Sequence, residues 1–150
     1  MSRIIKLVAG VVVAFVAVTA ISLPTVLHKA GLHPDYHGDK VGPLPGKRAL
    51  IVTTSHGVLA LPGESGGEPT GVMASEFTHP YYNFLEAGLE VDMASIKGGQ
   101  IPVDPQTLRY MVRTQEDERY LSDSVLLAKV KQSIPIADID FAQYDIVFLS

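Results

Sequence analysis

The sequence predicts an α/β fold in which a parallel sheet is covered by helices. Residues 49–52 and 146–149 are uninterrupted apolar runs, the pattern of strands that are buried on both faces. A short helical pattern stops at Gly88, and residues 89–94 read as a further strand directly after it. The order of strand, loop, helix and strand requires a right-handed crossover, which makes the two strands parallel.

The helix between the first two strands is predicted from its capping residues and its apolar face. Thr78 is the expected N-cap, and Pro80 falls in the first turn, where its missing N–H is harmless. Tyr81, Phe84 and Leu85 recur at helical spacing. We therefore expect a short amphipathic helix that packs on the sheet through these three side chains.

The loop after the first strand is the expected location of a ligand site. Residues 55–70 hold four glycines and two prolines, and Glu76 follows at the carboxyl ends of the strands, where such sheets bind ligands. Ser55 and His56 are candidates for the site lining, although polar capping of a strand end is the favoured interpretation. Residues 63–68 lack the lysine and the spacing of a P-loop and carry two glutamates, which indicates a flexible loop.

The second half of the chain predicts a turn, two helical stretches and a third strand. Residues 97–99 form the turn, and Asp104 caps a short helical stretch. A longer helix is expected over residues 116–131, with Lys129 and Lys131 near its negative C-terminus. Its predicted stripe consists of Leu121, Val125 and Ala128, with Leu127 and Val130 nearby. Residues 136–145 connect this helix to the third strand.

The N-terminal residues 1–27 form a targeting or anchoring segment. Arg3 and Lys6 precede an apolar run that Pro24 closes, and no polar face interrupts it. Two interpretations stay open. The segment is either a signal peptide that is cut after Ala20, or an uncleaved signal anchor that extends to Leu27 and anchors the protein in the membrane through residues 7–27. In both, the positive N-terminus stays in the cytoplasm and the remainder is exported. The protein is then attached to the cytoplasmic membrane, or periplasmic or secreted if the leader is removed.

Residues 28–46 read as a linker, because Gly, Pro, His and Asp occur there without apolar periodicity. His33, Asp35 and His37 alternate within it, a spacing that points three ligands to one side of an extended chain. Structural metal sites usually need four ligands in a rigid frame. Chance enrichment is therefore the favoured interpretation, and no metal ligand is predicted.

Charge and cysteine content exclude several classes of function. Without Arg3 and Lys6, 10 basic residues face 16 acidic ones, a formal charge of about −6, which disfavours nucleic acid as a partner. The sequence contains no cysteine. A disulfide framework and thiolate metal sites are therefore excluded within these residues.

The spacing of glycines, prolines and acidic residues forms one extended pattern within residues 47–150. It reads Gly71-x4-Glu76-x3-Pro80-x3-Phe84-x2-Ala87-Gly88-x-Glu90-Val91-x2-Ala94-Ser95-x2-Gly98-Gly99-x2-Pro102-x-Asp104-Pro105. This pattern resembles the N-terminal half of the ThiJ/PfpI superfamily, the class I glutamine amidotransferase-like proteins, and within it the heat-shock chaperone and glyoxalase III branch. The resemblance implies a flavodoxin-like three-layer sandwich of which this chain forms the N-terminal half. The expected organisation is a leader over residues 1–27, a linker over 28–46 and a truncated domain over 47–150.

The resemblance also implies a chemistry centred on Glu76. Family members use a cysteine on a sharp strand-to-helix turn, usually followed by histidine, and a glutamate at the position of Glu76 hydrogen-bonds that cysteine. A carboxyl beside a thiolate can move protons during addition to an aldehyde such as methylglyoxal, without a metal or organic cofactor. We expect the nucleophile and a Gly-Gly loop to lie beyond Ser150. The local alternative for Glu76 is a solvated acid that is stabilised by the helix dipole.

Three functional hypotheses follow. The first is a cysteine-dependent, glyoxalase III-like aldehyde-processing enzyme or hydrolase; the second is a chaperone or stress-response protein, with a homodimer compatible with either. The third is a non-catalytic membrane-tethered binding module. The 150 residues alone are expected to lack thiol-dependent activity, because they contain no cysteine. No base partner is identified that would activate a serine or threonine in its place. They are also expected to be poorly stable, because residues 146–149 would form an exposed apolar edge.

Overall fold

The computed structural model describes residues 3–32, 42–64 and 66–150, which fall into two compact units. The first unit is Met1–Gly38 with Tyr110–Val112, and the second is Asp39–Arg109 with Arg113–Ser150. The alternating motif of His33, Asp35 and His37 lies outside the described residues.

The first unit contains one long apolar helix, α1 (Arg3–Leu27), followed by residues His28–Leu32, where Gly31 has a φ of +106° and kinks the chain. The Thr19 and Ser22 hydroxyls donate hydrogen bonds to backbone carbonyls four residues earlier, so neither needs a partner outside the helix. Together the two segments are long and apolar enough to cross a membrane, with a mean hydropathy of 2.6. Signal sequences share this property, so both interpretations of the leader remain open.

The second unit is built on a parallel four-stranded sheet. The strands in chain order are β1 (Arg48–Thr53), β2 (Val58–Leu59), β3 (Glu68–Pro69), β4 (Glu90–Ser95), β5 (Ile134–Pro135) and β6 (Ile146–Leu149). The helices of this unit are α2 (Ala74–Glu86), α3 (Gln115–Tyr120) and α4 (Ser124–Lys131). The main sheet has the order β5-β4-β1-β6, whereas β2 and β3 form a separate antiparallel ribbon. The predicted α/β architecture and its three strands are confirmed.

The two faces of the main sheet are covered unequally. Ala49 and Ile51 of β1 lie on the same face as Val91 and Met93 of β4, because these residues are paired in register. This face packs against the three helices through Phe77, Tyr81, Tyr82, Tyr120, Leu126 and Val130. The opposite face holds a smaller cluster of Leu50, Val52 and Ala94. It is covered by Ile134 of β5 and by side chains from the connection to β6, namely Ile136, Ile139 and Tyr144. The main core therefore lies between the sheet and the helices.

Helix α2 begins earlier than predicted. Its N-cap is Met73, which makes no side-chain capping bond, so the assignment of Thr78 as N-cap was wrong. Thr78 is buried inside the helix, and Pro80 lies beyond the first turn. Of the predicted face only Tyr81 is fully buried, while Leu85 is 37% exposed.

The predicted end of α2 is confirmed. Gly88 has a φ of +87°, a conformation that glycine adopts without a Cβ penalty. Its N–H donates to the Leu85 carbonyl, and the Leu89 N–H donates to the Phe84 carbonyl. This is the Schellman arrangement, which satisfies the last carbonyls of the helix.

The predicted helix over residues 116–131 is two helices, and its apolar stripe was wrong. The helix is interrupted at Asp123, which is the N-cap of α4. Its carboxylate accepts hydrogen bonds from the Val125 and Leu126 N–H groups, so a new helix begins there. The break rotates the buried face. Leu126 and Val130 are buried, whereas Val125 is 59% exposed and Leu121 and Ala128 are also exposed.

Three connecting segments differ in how well they were predicted. Residues 97–99 form the expected turn, and the Asp104 carboxylate caps a turn by accepting from the Gln106 N–H, but no helix follows it. The ribbon of β2 and β3 lies within the segment predicted as loop. Leu44, placed in the linker, packs against the main core, and its N–H donates to the Ala87 carbonyl.

Strand β6 lies at the edge of the sheet beside β1, as an apolar strand. Its burial is low, with Ile146 half-buried and Leu149 75% exposed.

Candidate functional site

The two ends of α2 show where its N-terminus lies. The Ala87 carbonyl, at the C-terminal end of the helix, accepts from the Leu44 N–H just ahead of β1, and the Lys47 carbonyl accepts from the Glu90 N–H. The C-terminal end of α2 is therefore at the amino edge of the sheet. Its N-terminus, which follows the loop from the carboxyl end of β1, lies at the carboxyl edge. Ligands bind at that edge in open α/β sheets.

Glu76 lies in the first turn of α2 at this edge, and its side chain is exposed. Its N–H donates to the Met73 carbonyl at 3.0 Å, which closes the first turn. Pro80 has no N–H, so the usual helical bond back to the Glu76 carbonyl cannot form. Within the part of the chain that the structure describes, no hydrogen bond or ion pair joins the Glu76 carboxylate to another side chain. A carboxylate near the positive end of a helix is stabilised by the helix dipole.

The hydroxyls at the strand ends are committed to structural hydrogen bonds. Ser133 donates to the Gly99 carbonyl at 2.7 Å, so the Ser95 hydroxyl must be the donor in the 2.9 Å bond between the two serines. Thr53 donates to the Ala94 carbonyl at 3.3 Å. All three side chains are buried. They hold together β1, β4 and the residue before β5, and the hydrogen of each of these three hydroxyls is used in a hydrogen bond.

Ser55 has the capping role that the sequence favoured, whereas His56 contributes only its backbone N–H. The Ser55 hydroxyl accepts from the Lys97 N–H, and the Thr54 hydroxyl accepts from the His56 N–H, both at 2.9 Å. The His56 side chain is exposed.

A backbone clamp fixes the segment that leads into α2. The Val72 N–H donates to the Pro102 carbonyl at 2.9 Å, and the Asp104 N–H donates to the Val72 carbonyl at 3.0 Å. Gly71 permits this approach, because a Cβ on it would lie 2.1 Å from the Pro102 carbonyl oxygen. Only glycine fits there without displacing backbone.

The structure resembles solved proteins over about two thirds of the chain. Rapid Encystment Protein 24 KDa from Francisella tularensis is 34% identical, with 69% of this chain and 44% of that protein covered and a TM-score of 0.57. Glyoxalase III from Candida albicans is 25% identical, with 67% of this chain and 41% of that protein covered and a TM-score of 0.55. No family model and no curated protein in the comparison matches the chain.

The chain belongs to the ThiJ/PfpI superfamily. Its likeness to glyoxalase III supports the branch inferred from the spacings around Glu76 and Gly98. The chain spans less than half the length of both solved neighbours.

In this ThiJ/PfpI chain, α2 is joined to α3 by a polar junction that the sequence pattern did not reveal. The Thr78 hydroxyl donates to the buried Asp117 carboxylate at 2.7 Å. Asp117 also forms a capping box with Thr114, in which each side chain accepts the backbone N–H of the other. His79 Nε2 lies 3.0 Å from the Thr114 hydroxyl and 3.2 Å from Glu116 Oε2. The pattern T-x-x-D at residues 114–117 was the available signal, since it is close to a capping box.

A second network, also missed, surrounds Asp92 nearer the amino edge. Arg48 Nη2 and the Tyr144 hydroxyl donate to Oδ2 at 2.8 and 3.0 Å, and Lys129 Nζ donates to Oδ1 at 3.2 Å. Burial raises the pKa of Asp92, but the hydrogen bonds from Arg48, Tyr144 and Lys129 outweigh it, so that the pKa lies below its ordinary value. Burial and the bond to Asp92 raise the pKa of the Tyr144 phenol.

Asp145 extends the charges at the amino edge. It accepts from Lys47 Nζ at 2.7 Å and from the Arg48 N–H at 2.9 Å, and these bonds lower the pKa of its carboxyl. Both networks join separate strands and are far along the strands from Glu76. Their role is structural.

Proposed function

We propose that residues 47–150 are part of a cysteine-dependent enzyme that converts a 2-oxoaldehyde to a 2-hydroxy acid, with Glu76 as the proton-transfer group. The observation that carries the proposal is the position of Glu76, an exposed carboxylate in the first turn of the helix that starts at the carboxyl edge of the sheet. The likeness to a glyoxalase III supports an aldehyde as the substrate class.

The proposed reaction needs a thiolate close to Glu76. Addition of the thiolate to the aldehyde carbon gives a hemithioacetal, and transfer of the proton from that carbon to the adjacent oxidised carbon gives a thioester. Water then releases the hydroxy acid and the thiol, so the atoms balance without an external oxidant. A carboxyl group beside the adduct can accept the proton and return it, the role proposed for Glu76.

The thiolate is proposed to come from sequence that follows Ser150. No cysteine occurs in these 150 residues, and the chain spans 44% and 41% of its two solved neighbours. The first test is to read the coding sequence beyond codon 150 for a Gly-Gly loop and a cysteine followed by histidine. An extended reading frame without a cysteine would contradict this part of the proposal.

The extended protein then tests the role of Glu76. Glu76→Gln should lower turnover of methylglyoxal by about 100-fold, because general acid–base groups contribute on that order. The matched control is Glu86→Gln, which changes an exposed acid at the other end of α2. Equal turnover in the Glu76→Gln variant and an active parent would rule out the proton-transfer role.

The long apolar helix α1 supports a second candidate, a non-catalytic binding module that is tethered to the membrane. In either case we propose that residues 28–150 lie on the exported side of the cytoplasmic membrane, with residues 7–27 as anchor or leader. A reporter that is active only after export, fused to Ser150, should be active in cells. An inactive, protease-shielded fusion of normal abundance would overturn this topology.

A further inference from the structure

Helix α2 lacks a capping residue of its own at the end that carries Glu76. Its N-cap is Met73, whose side chain forms no capping bond. The first N–H groups of a helix have no partner within the helix, and an unpaired donor near the protein interior costs stability. A partner for these groups must therefore come from elsewhere in the fold.

Thr107 supplies that partner from 33 residues away in sequence. The Ala74 N–H, the first of the helix, donates to Thr107 Oγ1 at 3.1 Å. The Thr107 hydroxyl hydrogen is used in a 2.7 Å bond to the Asp104 carbonyl, and the Thr107 N–H donates to the same carbonyl. With its hydrogen directed at Asp104, the oxygen presents its lone pairs to Ala74.

The Thr107 contact closes a ring of hydrogen bonds around the start of α2. Asp104, which holds Thr107, also donates its N–H to the Val72 carbonyl, and Val72 donates to the Pro102 carbonyl. Residues on both sides of Met73 are thus tied to the segment of residues 102–107. Glu76 lies two residues after Ala74, in the turn that this ring fixes.

We propose that Thr107 is a positioning residue for Glu76, an inference that rests on the proton-transfer role proposed above. Thr107 acts as an N-cap provided by tertiary structure. Without it the first turn of α2 frays, and the Glu76 carboxyl loses the fixed position that proton transfer requires.

The variant that tests this is Thr107→Val, which keeps the shape of the side chain and removes its hydroxyl. Thr107→Ser keeps a hydroxyl at this position, so this variant should behave like the parent protein. The matched control is Thr70→Val, because Thr70 is also half-buried and precedes the same helix, and its hydroxyl makes no hydrogen bond within the described chain.

The first measurement is amide hydrogen exchange in the full 150-residue chain, which needs no enzymatic activity. Thr107→Val should speed exchange at Ala74, Ser75 and Glu76 by about tenfold, the usual effect of losing an N-cap partner. Exchange in β1 and β4 should not change, and Thr107→Ser and Thr70→Val should match the parent. Unchanged exchange at Ala74, or equal acceleration in β1 and β4, would overturn the proposal.

The second measurement is steady-state turnover in the extended protein. We expect Thr107→Val to lower kcat on the order of tenfold with KM unchanged, since misplacement of a reacting group affects the chemical step. An unchanged kcat in a variant with faster exchange would also overturn the positioning role. If the parent itself has no turnover, the proposed function fails, and the exchange measurement still decides whether Thr107 holds the first turn.

Discussion

The two edges of the main sheet are held together by different chemistry. At the amino edge, five charged side chains and one phenol pair across β1, β4, α4 and the segment before β6: Lys47, Arg48, Asp92, Lys129, Tyr144 and Asp145. At the carboxyl edge the strands are joined by neutral groups, the hydroxyls of Thr53, Ser95 and Ser133. The segment before α2 is held there by backbone hydrogen bonds and by the close approach of Gly71 to Pro102.

The ion pairs that stabilise the sheet therefore lie at a different edge from Glu76, the candidate proton-transfer group. Each of these charges at the amino edge is held in an ion pair, so none is available to a ligand without the loss of that pair. At the carboxyl edge Glu76 is exposed, and within the described residues no hydrogen bond or ion pair joins its carboxylate to another side chain. The candidate acid takes no part in the ion pairs of the amino edge, which allows each edge to be altered separately.

The largest expected effect comes from breaking the carboxyl edge at its backbone clamp. Gly71→Ala places a methyl group 2.1 Å from the Pro102 carbonyl oxygen, so backbone must move. Overpacking of this kind costs about 3 kcal/mol in the free energy of unfolding. Urea denaturation of the full chain in mild detergent, followed by tyrosine fluorescence, measures it.

Gly66→Ala is the control for that loss, because a methyl group at Gly66 meets no atom within 4 Å. It should change stability by less than about 0.5 kcal/mol. If the two substitutions change the free energy of unfolding equally, the backbone hydrogen bonds of the clamp do not stabilise the carboxyl edge.

A smaller effect is expected when the charges of the amino edge are broken. Asp92→Asn keeps the shape of the side chain but removes the charge that three donors share, and Asp92 is 25% exposed. The expected loss is about 2 kcal/mol, the scale of hydrogen bonds to a charged group. Asp138→Asn, at an exposed acid, is the control, and the same denaturation assay applies. If Asp92→Asn lowers the free energy of unfolding no more than Asp138→Asn does, the Asp92 network stabilises the fold no more than an exposed surface charge.

The smallest expected effect is the dependence of the amino edge on pH. The pKa values of Asp92 and Asp145 are lowered in the folded state, so their contribution is complete above the ordinary carboxyl pKa of 3.8 and is lost as pH falls below it. Stability of the parent should therefore decrease more steeply than that of Asp92→Asn as pH falls below 3.8. Parallel curves for parent and variant would contradict the lowered pKa of Asp92.

The sequence predicted those parts of the fold that depend on local pattern. Residues 49–52 and 146–149 were recognised as strands from their uninterrupted apolar runs, and residues 89–94 from their place directly after the helix stop. Strand β1 is buried on both faces, whereas β6 is largely exposed because it lies at the edge of the sheet. Gly88 was recognised as a helix stop because a left-handed conformation favours glycine. Glu76 could be placed at the carboxyl edge from the order of the elements alone.

Tertiary structure decided where the helices begin and which groups meet. A threonine before a proline, as at Thr78, looks like an N-cap, but its hydroxyl is used by Asp117, 39 residues later, and the cap of α2 comes from Thr107. Partners this far apart leave no periodic signal, because the spacing of contacts between elements is set by packing and not by the helical or strand repeat. For the same reason, the sequence pattern gave no signal for the three donors that bind the Asp92 carboxylate. Local sequence determined the elements and the position of the candidate acid, and long-range hydrogen bonds determined how that acid is held.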